Sequence, residues 1–196
     1  MGGHVKGIDN RKQPRYVGEH FIQADALRPP VRLADFDLVW ASPPCQAFTP
    51  LNRMWNAKPN PNLIAETRAM LRSAGSLYVI ENVRGARLKA TLMLCGSMFG
   101  LGWDDAGLRR HRYFEMNFPA FSPPCQHDEE RVIGVYGGHG RDRRRKVNTQ
   151  DFPVVARAKA MGIAWMRGSE LSEAIPPHYS QHIGEYAMMA LTSPRG

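Results

Sequence analysis

Asp35-Phe36-Asp37-Leu38-Val39-Trp40-Ala41-Ser42-Pro43-Pro44-Cys45-Gln46 is the stretch on which the fold turns. Residues 35–41 read as a largely buried strand. Pro43 and Pro44, with fixed φ and no N–H to donate, forbid its continuation and make a rigid loop at its C-terminal end, where Cys45 and Gln46 stand. Downstream, Asn62 suits the cap of a helix over 63–72, with Leu63, Ile64, Met70 and Leu71 as its apolar stripe. Gly75 stops that helix before a strand over 76–80. Strand, helix and strand in that order imply a parallel crossover and the α/β class. Ligands bind such sheets outside the strands' carboxyl ends, so Cys45 and Glu81, the residue after Ile80, are expected to converge there.

Working outward, residues 4–8 and 19–24 read as short strands that deliver Asp9 and Asp25. Residues 112–116 suggest another strand. A helix follows Pro153 through Val154, Val155, Ala158 and Met161, and a last one runs from near Pro177 through Ile183, Met188 and Leu191. No repeat of solenoid length and no low-complexity segment divides the chain, so residues 1–196 are expected to form one domain.

The 196 residues are 43% hydrophobic, enough to close one core without disulfides or a metal. The three cysteines, Cys45, Cys95 and Cys125, are odd in number and widely spread, and no secretory leader precedes them, which points to a reducing cytoplasm. Every apolar run is interrupted too soon to cross a bilayer, so no membrane partner is expected. The formal charge of +8 implies attraction to polyanions. Arg141, Arg143, Arg144, Arg145 and Lys146 cluster directly after Gly137-Gly138-His139-Gly140, a pattern suited to a loop lying on a phosphate backbone; a solvated charged loop is the plainer alternative. Cys95 reads as an inert buried thiol and Cys125 as a loop or packing thiol. Cys125, His127 and His139 lack the paired spacing of zinc ligands, and no metal is expected.

Pro43-Pro44-Cys45-Gln46, Glu81-Asn82-Val83 and Leu108-Arg109-Arg110-His111-Arg112-Tyr113-Phe114 resemble, in order and spacing, three motifs of the cytosine-C5 DNA methyltransferases. A second Pro-Pro-Cys-Gln, at residues 123–126, follows a proline-broken stretch rather than a strand, which leaves Cys45 the better nucleophile. The resemblance implies a Rossmann-like, S-adenosylmethionine-dependent methyltransferase fold with a mostly parallel sheet. It implies attack on cytosine C6 by Cys45, neutralisation of the pyrimidine at N3 by Glu81, a loop held by Asn82, and contact with the base oxygen by Arg112. Arg110 is implied as the partner of Arg112, stabilising charge and lowering the thiol pKa. Leu108 stands where the family usually has glutamine. Because C6 is stacked inside a duplex, the base must be flipped out, with Gln46 and the basic cluster on double-stranded DNA. Taken singly, Glu81 could instead pair with a surface arginine, and Arg110 and Arg112 could be an exposed stripe on an edge strand.

For the donor, Asp9 with Asn10 resembles the family's acid on the ribose hydroxyls, Asp25 with Ala26 the acid on the adenine amine, and Pro43 belongs to the same pocket. Residues 172–177 are similar to the motif that closes it. The family opens with a glycine-rich turn after its first strand, whereas this chain opens at the second. An upstream start, a second chain supplying that part, or a pared-down N-terminally truncated enzyme are the readings open. The region available for target recognition, 116–152, is short, as in a compact, virus-borne member acting in a prokaryotic cell or infected host. The alternative to an active enzyme is a DNA-binding relic that no longer holds the donor; a generic basic α/β module leaves Cys45 and Glu81 at paired strand ends unexplained. Replacing Arg143, Arg144 and Arg145 by Gln is expected to weaken duplex binding and to lower its log–log salt slope by about 0.9 for each phosphate no longer neutralised. Titration of a labelled duplex at several salt concentrations measures it, and an unchanged slope would remove the cluster from the interface.

Overall fold

In a computed structural model, residues 3–48, 60–89, 91–127, 131–135, 149–150 and 152–193 are described. The chain starts with β1 (Lys6–Asp9) and β2 (His20–Gln23), a parallel pair in which Asp9 lies opposite Gln23. The decisive strand, β3, spans Leu38–Ala41; residues 33–35 ahead of it form a 3-10 turn, so pairing begins only where the partner strand offers Leu77. The Asn62 side chain accepts the Ile64 N–H at 3.2 Å, opening α1 (Ile64–Ala74), which ends at Gly75 in the left-handed region with φ 77°. Strand β4 (Leu77–Asn82) then runs parallel to β3, with Ala41 opposite Ile80, completing the crossover expected from the sequence.

Next come β5 (Leu92–Leu94), the tight hairpin of β6 (Gly102–Trp103) and β7 (Ala106–Leu108), and β8 (Arg112–Met116). The central sheet has the order β3-β4-β8-β5, and β8 is antiparallel to both neighbours. The protein is therefore α/β as expected, but its central sheet is mixed rather than mostly parallel. Between β5 and β8 the chain makes a hairpin instead of a crossover helix, so it re-enters the sheet from the end where β5 leaves it.

Strands β9 (Arg131–Ile133) and β10 (Thr149–Gln150) add to β7, giving a second sheet of order β10-β9-β7-β6. The region expected for target recognition thus contributes strands to a sheet begun upstream of it. Helices α2 (Val154–Met161), α3 (Ser169–Glu173) and α4 (Pro177–Thr192) complete the described chain, with α2 and α4 where the sequence placed them.

Alternation along the strands divides the central sheet between two cores. Tyr78 and Ile80 face Ile64 and Leu71 of α1. Val79 and Phe114 face the other way, into a larger cluster with Tyr179 and Ile183 of α4 and with Leu108 and Ile133 of the second sheet. Across β8 and α1, Arg68 grips Glu115 with Nε to Oε1 at 2.6 Å and Nη2 to Oε2 at 2.7 Å, while the Lys89 N–H donates to Oε2 at 2.8 Å. Burial opposes the Glu115 charge, yet the Arg68 bonds and the Lys89 amide outweigh it and hold the carboxyl below its ordinary range. Removing one partner of so buried a pair strands the other, and Arg68→Ala is expected to lose about 3–5 kcal/mol in urea denaturation at neutral pH. Since Glu115 titrates lower in the folded state, that gap should narrow as pH falls below the ordinary carboxylate range.

Candidate active site

The crossover puts the residues after β3 beside the end of β4. Asn82 donates from Nδ2 to the Pro43 carbonyl at 2.9 Å, which ties the proline loop to β4 in the way the sequence resemblance implies. Cys45 follows at intermediate exposure, and the Phe48 N–H donates to its carbonyl at 3.0 Å, closing a one-turn 3-10 helix that begins at the exposed Gln46.

Glu81 shares a face of the sheet with Val79 and lies opposite Phe114, so Arg112, two residues away on β8, is its diagonal neighbour. The Arg112 Nε reaches Glu81 Oε1 at 3.1 Å, with both side chains largely buried. Glu81 is also hydrogen-bonded to the Ser42 side chain, whose oxygen accepts the Trp40 indole N–H at 3.3 Å. Burial pushes the Glu81 carboxyl above its ordinary range, against the pull of Arg112, Ser42 and Arg110. The charged form is thereby less stable here than in an exposed glutamate.

Burial also raises the Cys45 thiol, Arg112 and Arg110 draw it back down, and Glu81 adds to the rise. The net direction differs from the lowered thiol that the resemblance implied, because desolvation outweighs the two guanidinium groups. Arg110 is itself held in place by backbone. It donates to the carbonyls of Val135, Ser172 and Ala174, the last two at 2.7 Å, and its own carbonyl accepts the Tyr179 hydroxyl at 2.7 Å. The fully buried Tyr179 and the 172–177 motif are thus locked onto the arginine run, and Arg110 acts on Cys45 through its charge.

A cavity of about 490 Å³ opens against Glu81 and Ser42. Trp40, Trp165 and Ile163 form apolar walls, and Glu173 to Ile175 with Pro177 close one side. Trp40, Ser42 and Trp165 were not singled out by the sequence; alternation beside Glu81 could have pointed to Trp40, whereas Trp165 arrives from a distant segment.

Asp9 ends β1 and Asp25 follows the end of the neighbouring β2, as expected, yet neither lines this cavity. Asp9 accepts the Arg11 N–H at 2.7 Å and the Gln13 side-chain amide at 3.0 Å, and Asp25 accepts the Leu27 N–H at 2.9 Å. Asn10 accepts from Gln23 through its carbonyl, and Ala26 lies exposed between Asp25 and Leu27. The link to the cavity runs through Arg11, whose Nη2 is 2.9 Å from Glu173. Arg141, Arg143, Arg144, Arg145, Lys146 and His139 lie outside the described residues.

The chain matches no protein-family model, and no curated protein matches it.

Because burial raises the Cys45 thiol, its alkylation by iodoacetamide is expected to rise with pH at higher values than for an ordinary cysteine. Arg112→Gln should displace the profile further upward. Peptide mass spectrometry reads Cys45 separately from the other thiols, and a profile unmoved by that substitution would show that Arg112 does not act on the sulfur.

Proposed function

We propose that this protein is a DNA (cytosine-5-)-methyltransferase acting on double-stranded DNA with S-adenosylmethionine as methyl donor, in a Rossmann-like methyltransferase fold. The observation that carries the reading is the pairing of a thiol and a buried carboxyl at the C-terminal ends of adjacent parallel strands, with Arg112 on the carboxyl.

Cytosine C5 is too weak a nucleophile to accept a methyl group unaided. Addition of the Cys45 sulfur to C6 breaks the C5–C6 double bond and moves its electron pair toward C5 and N3. Glu81, whose neutral form burial favours, is assigned the proton that goes to N3 and takes up the negative charge in exchange. Arg112 is then the neighbouring cation for that carboxylate, and the resemblance assigns it the base oxygen. After transfer, the C5 proton passes to solvent, the sulfur leaves C6 and N3 returns its proton to Glu81, which restores the ring and the free Cys45.

The cavity's size and walls suit the donor, although the acids that the resemblance assigns to it do not line the cavity. The cavity beside Glu81 has the size of a small-ligand site, two indole walls suit a purine, and the 172–177 backbone is fixed by Arg110. Bound there, S-adenosylmethionine supplies a methyl group on a sulfonium. Trp40, Trp165 and Ile175 enclose it in this proposal; Asp9 with Asn10, to which the family resemblance gives the ribose hydroxyls, Asp25 with Ala26, to which it gives the adenine amine, and Pro43 lie outside that lining.

The test is transfer of labelled methyl to unmethylated duplex DNA, followed by digestion to nucleosides. Label is expected on 5-methylcytosine, to vanish in Cys45→Ala, and to fall by about 10²–10⁴-fold in Glu81→Gln. Retained transfer in Cys45→Ala would overturn the assignment, and absent label with intact DNA binding would favour the donor-less relic.

A further inference from the structure

Away from Cys45, four side chains from three segments point their ligating atoms at one spot. Cys95 follows β5, His111 immediately precedes β8, and Cys125 and His127 come from the stretch after β8. Their two sulfurs and two ring nitrogens all lie within 4.8 Å of one another. His127 Nε2 is 3.3 Å from Cys95 Sγ and 3.1 Å from Cys125 Sγ, and His111 Nε2 is 3.5 Å from Cys125 Sγ.

Hydrogen bonding alone accounts poorly for this arrangement. A ring nitrogen is either donor or acceptor, so His127 Nε2 can satisfy two thiols only by a shared, bifurcated bond. A cation at the centre satisfies all four atoms at once. For a tetrahedral zinc with ordinary Zn–S and Zn–N bonds, the sulfur-to-nitrogen edge is about 3.6 Å. The three edges, at 3.1, 3.3 and 3.5 Å, lie within about half an ångström of that, and two sulfurs with two nitrogens is a donor set that suits zinc.

We propose that Cys95, His111, Cys125 and His127 form a structural zinc site. Both thiols give up a proton to solvent on binding, so one Zn²⁺ replaces two protons and the site carries no net charge. With four protein ligands the coordination shell is closed, which suits a staple and leaves no position for an activated water. What it staples is specific. The backbone at Cys95 is pressed against β7, for a Cβ on the adjoining Gly96 would run into the Leu108 carbonyl oxygen. Zinc would fasten the stretch carrying Cys125 and His127 to that rigid corner, and to His111, which stands between Arg110 and Arg112. The metal thereby anchors the chain leaving β8 beside the two arginines, whatever reaction they serve.

The experiment is metal analysis of protein purified under reducing conditions and reconstituted with zinc, alongside the cobalt(II) form. About one zinc per chain is expected, as is a cobalt spectrum with the strong d–d bands of a tetrahedral site and a thiolate charge-transfer band. Cys125→Ser and His127→Ala, both at exposed positions, should bring the content near background, while Cys45→Ser should keep it. Background zinc in the reconstituted wild type, an octahedral cobalt spectrum, full content in Cys125→Ser and His127→Ala, or loss in Cys45→Ser would each overturn the site.

Discussion

The parallel ladder that pairs Ala41 with Ile80 governs the rest of the site. It brings the end of β3 level with the end of β4, so the proline loop and Glu81 emerge side by side. Because side chains alternate, a slip of one residue would turn Glu81 toward α1 and the apolar contacts of Ile80 toward α4. Two cores of different membership oppose that slip, and the Asn82 bond to Pro43 fixes the loop once the register is set.

Charge at the site is a compromise in which burial outweighs the cations. Desolvation works against the charged forms of both Cys45 and Glu81, and two guanidinium groups recover part of the cost. They do so differently. Arg112 meets Glu81 directly, whereas Arg110 is spent on backbone carbonyls and contributes its field. That division makes Arg110 a joint: the same side chain that biases Cys45 also holds Ser172 and Ala174, and with them one wall of the cavity.

The crossover was legible because its signals are local. A proline pair, an asparagine cap and a glycine stop each act within one turn of chain, and all three landed within a residue or two of where they were expected. The orientation of β8 was not legible, since it depends on how the segment after β5 returns to the sheet, which no local signal states. The cysteine and histidine cluster was missed for a similar reason. Its members lie on separate segments, and the search for paired ligand spacing grouped Cys125 and His127 with His139 instead of with Cys95 and His111. The direction of the Cys45 shift also escaped the sequence, which shows nearby arginines but not how much water the fold removes.

The central claim is that Cys45 is a carbon nucleophile toward cytosine, and covalent trapping tests it most directly. A duplex carrying 5-fluorocytosine blocks the final loss from C5, so with S-adenosylmethionine present the protein should form a denaturation-resistant adduct, located at Cys45 by peptide mass spectrometry. An adduct at Cys95 or Cys125, or none on a duplex that the protein demonstrably binds together with the donor, would contradict the account.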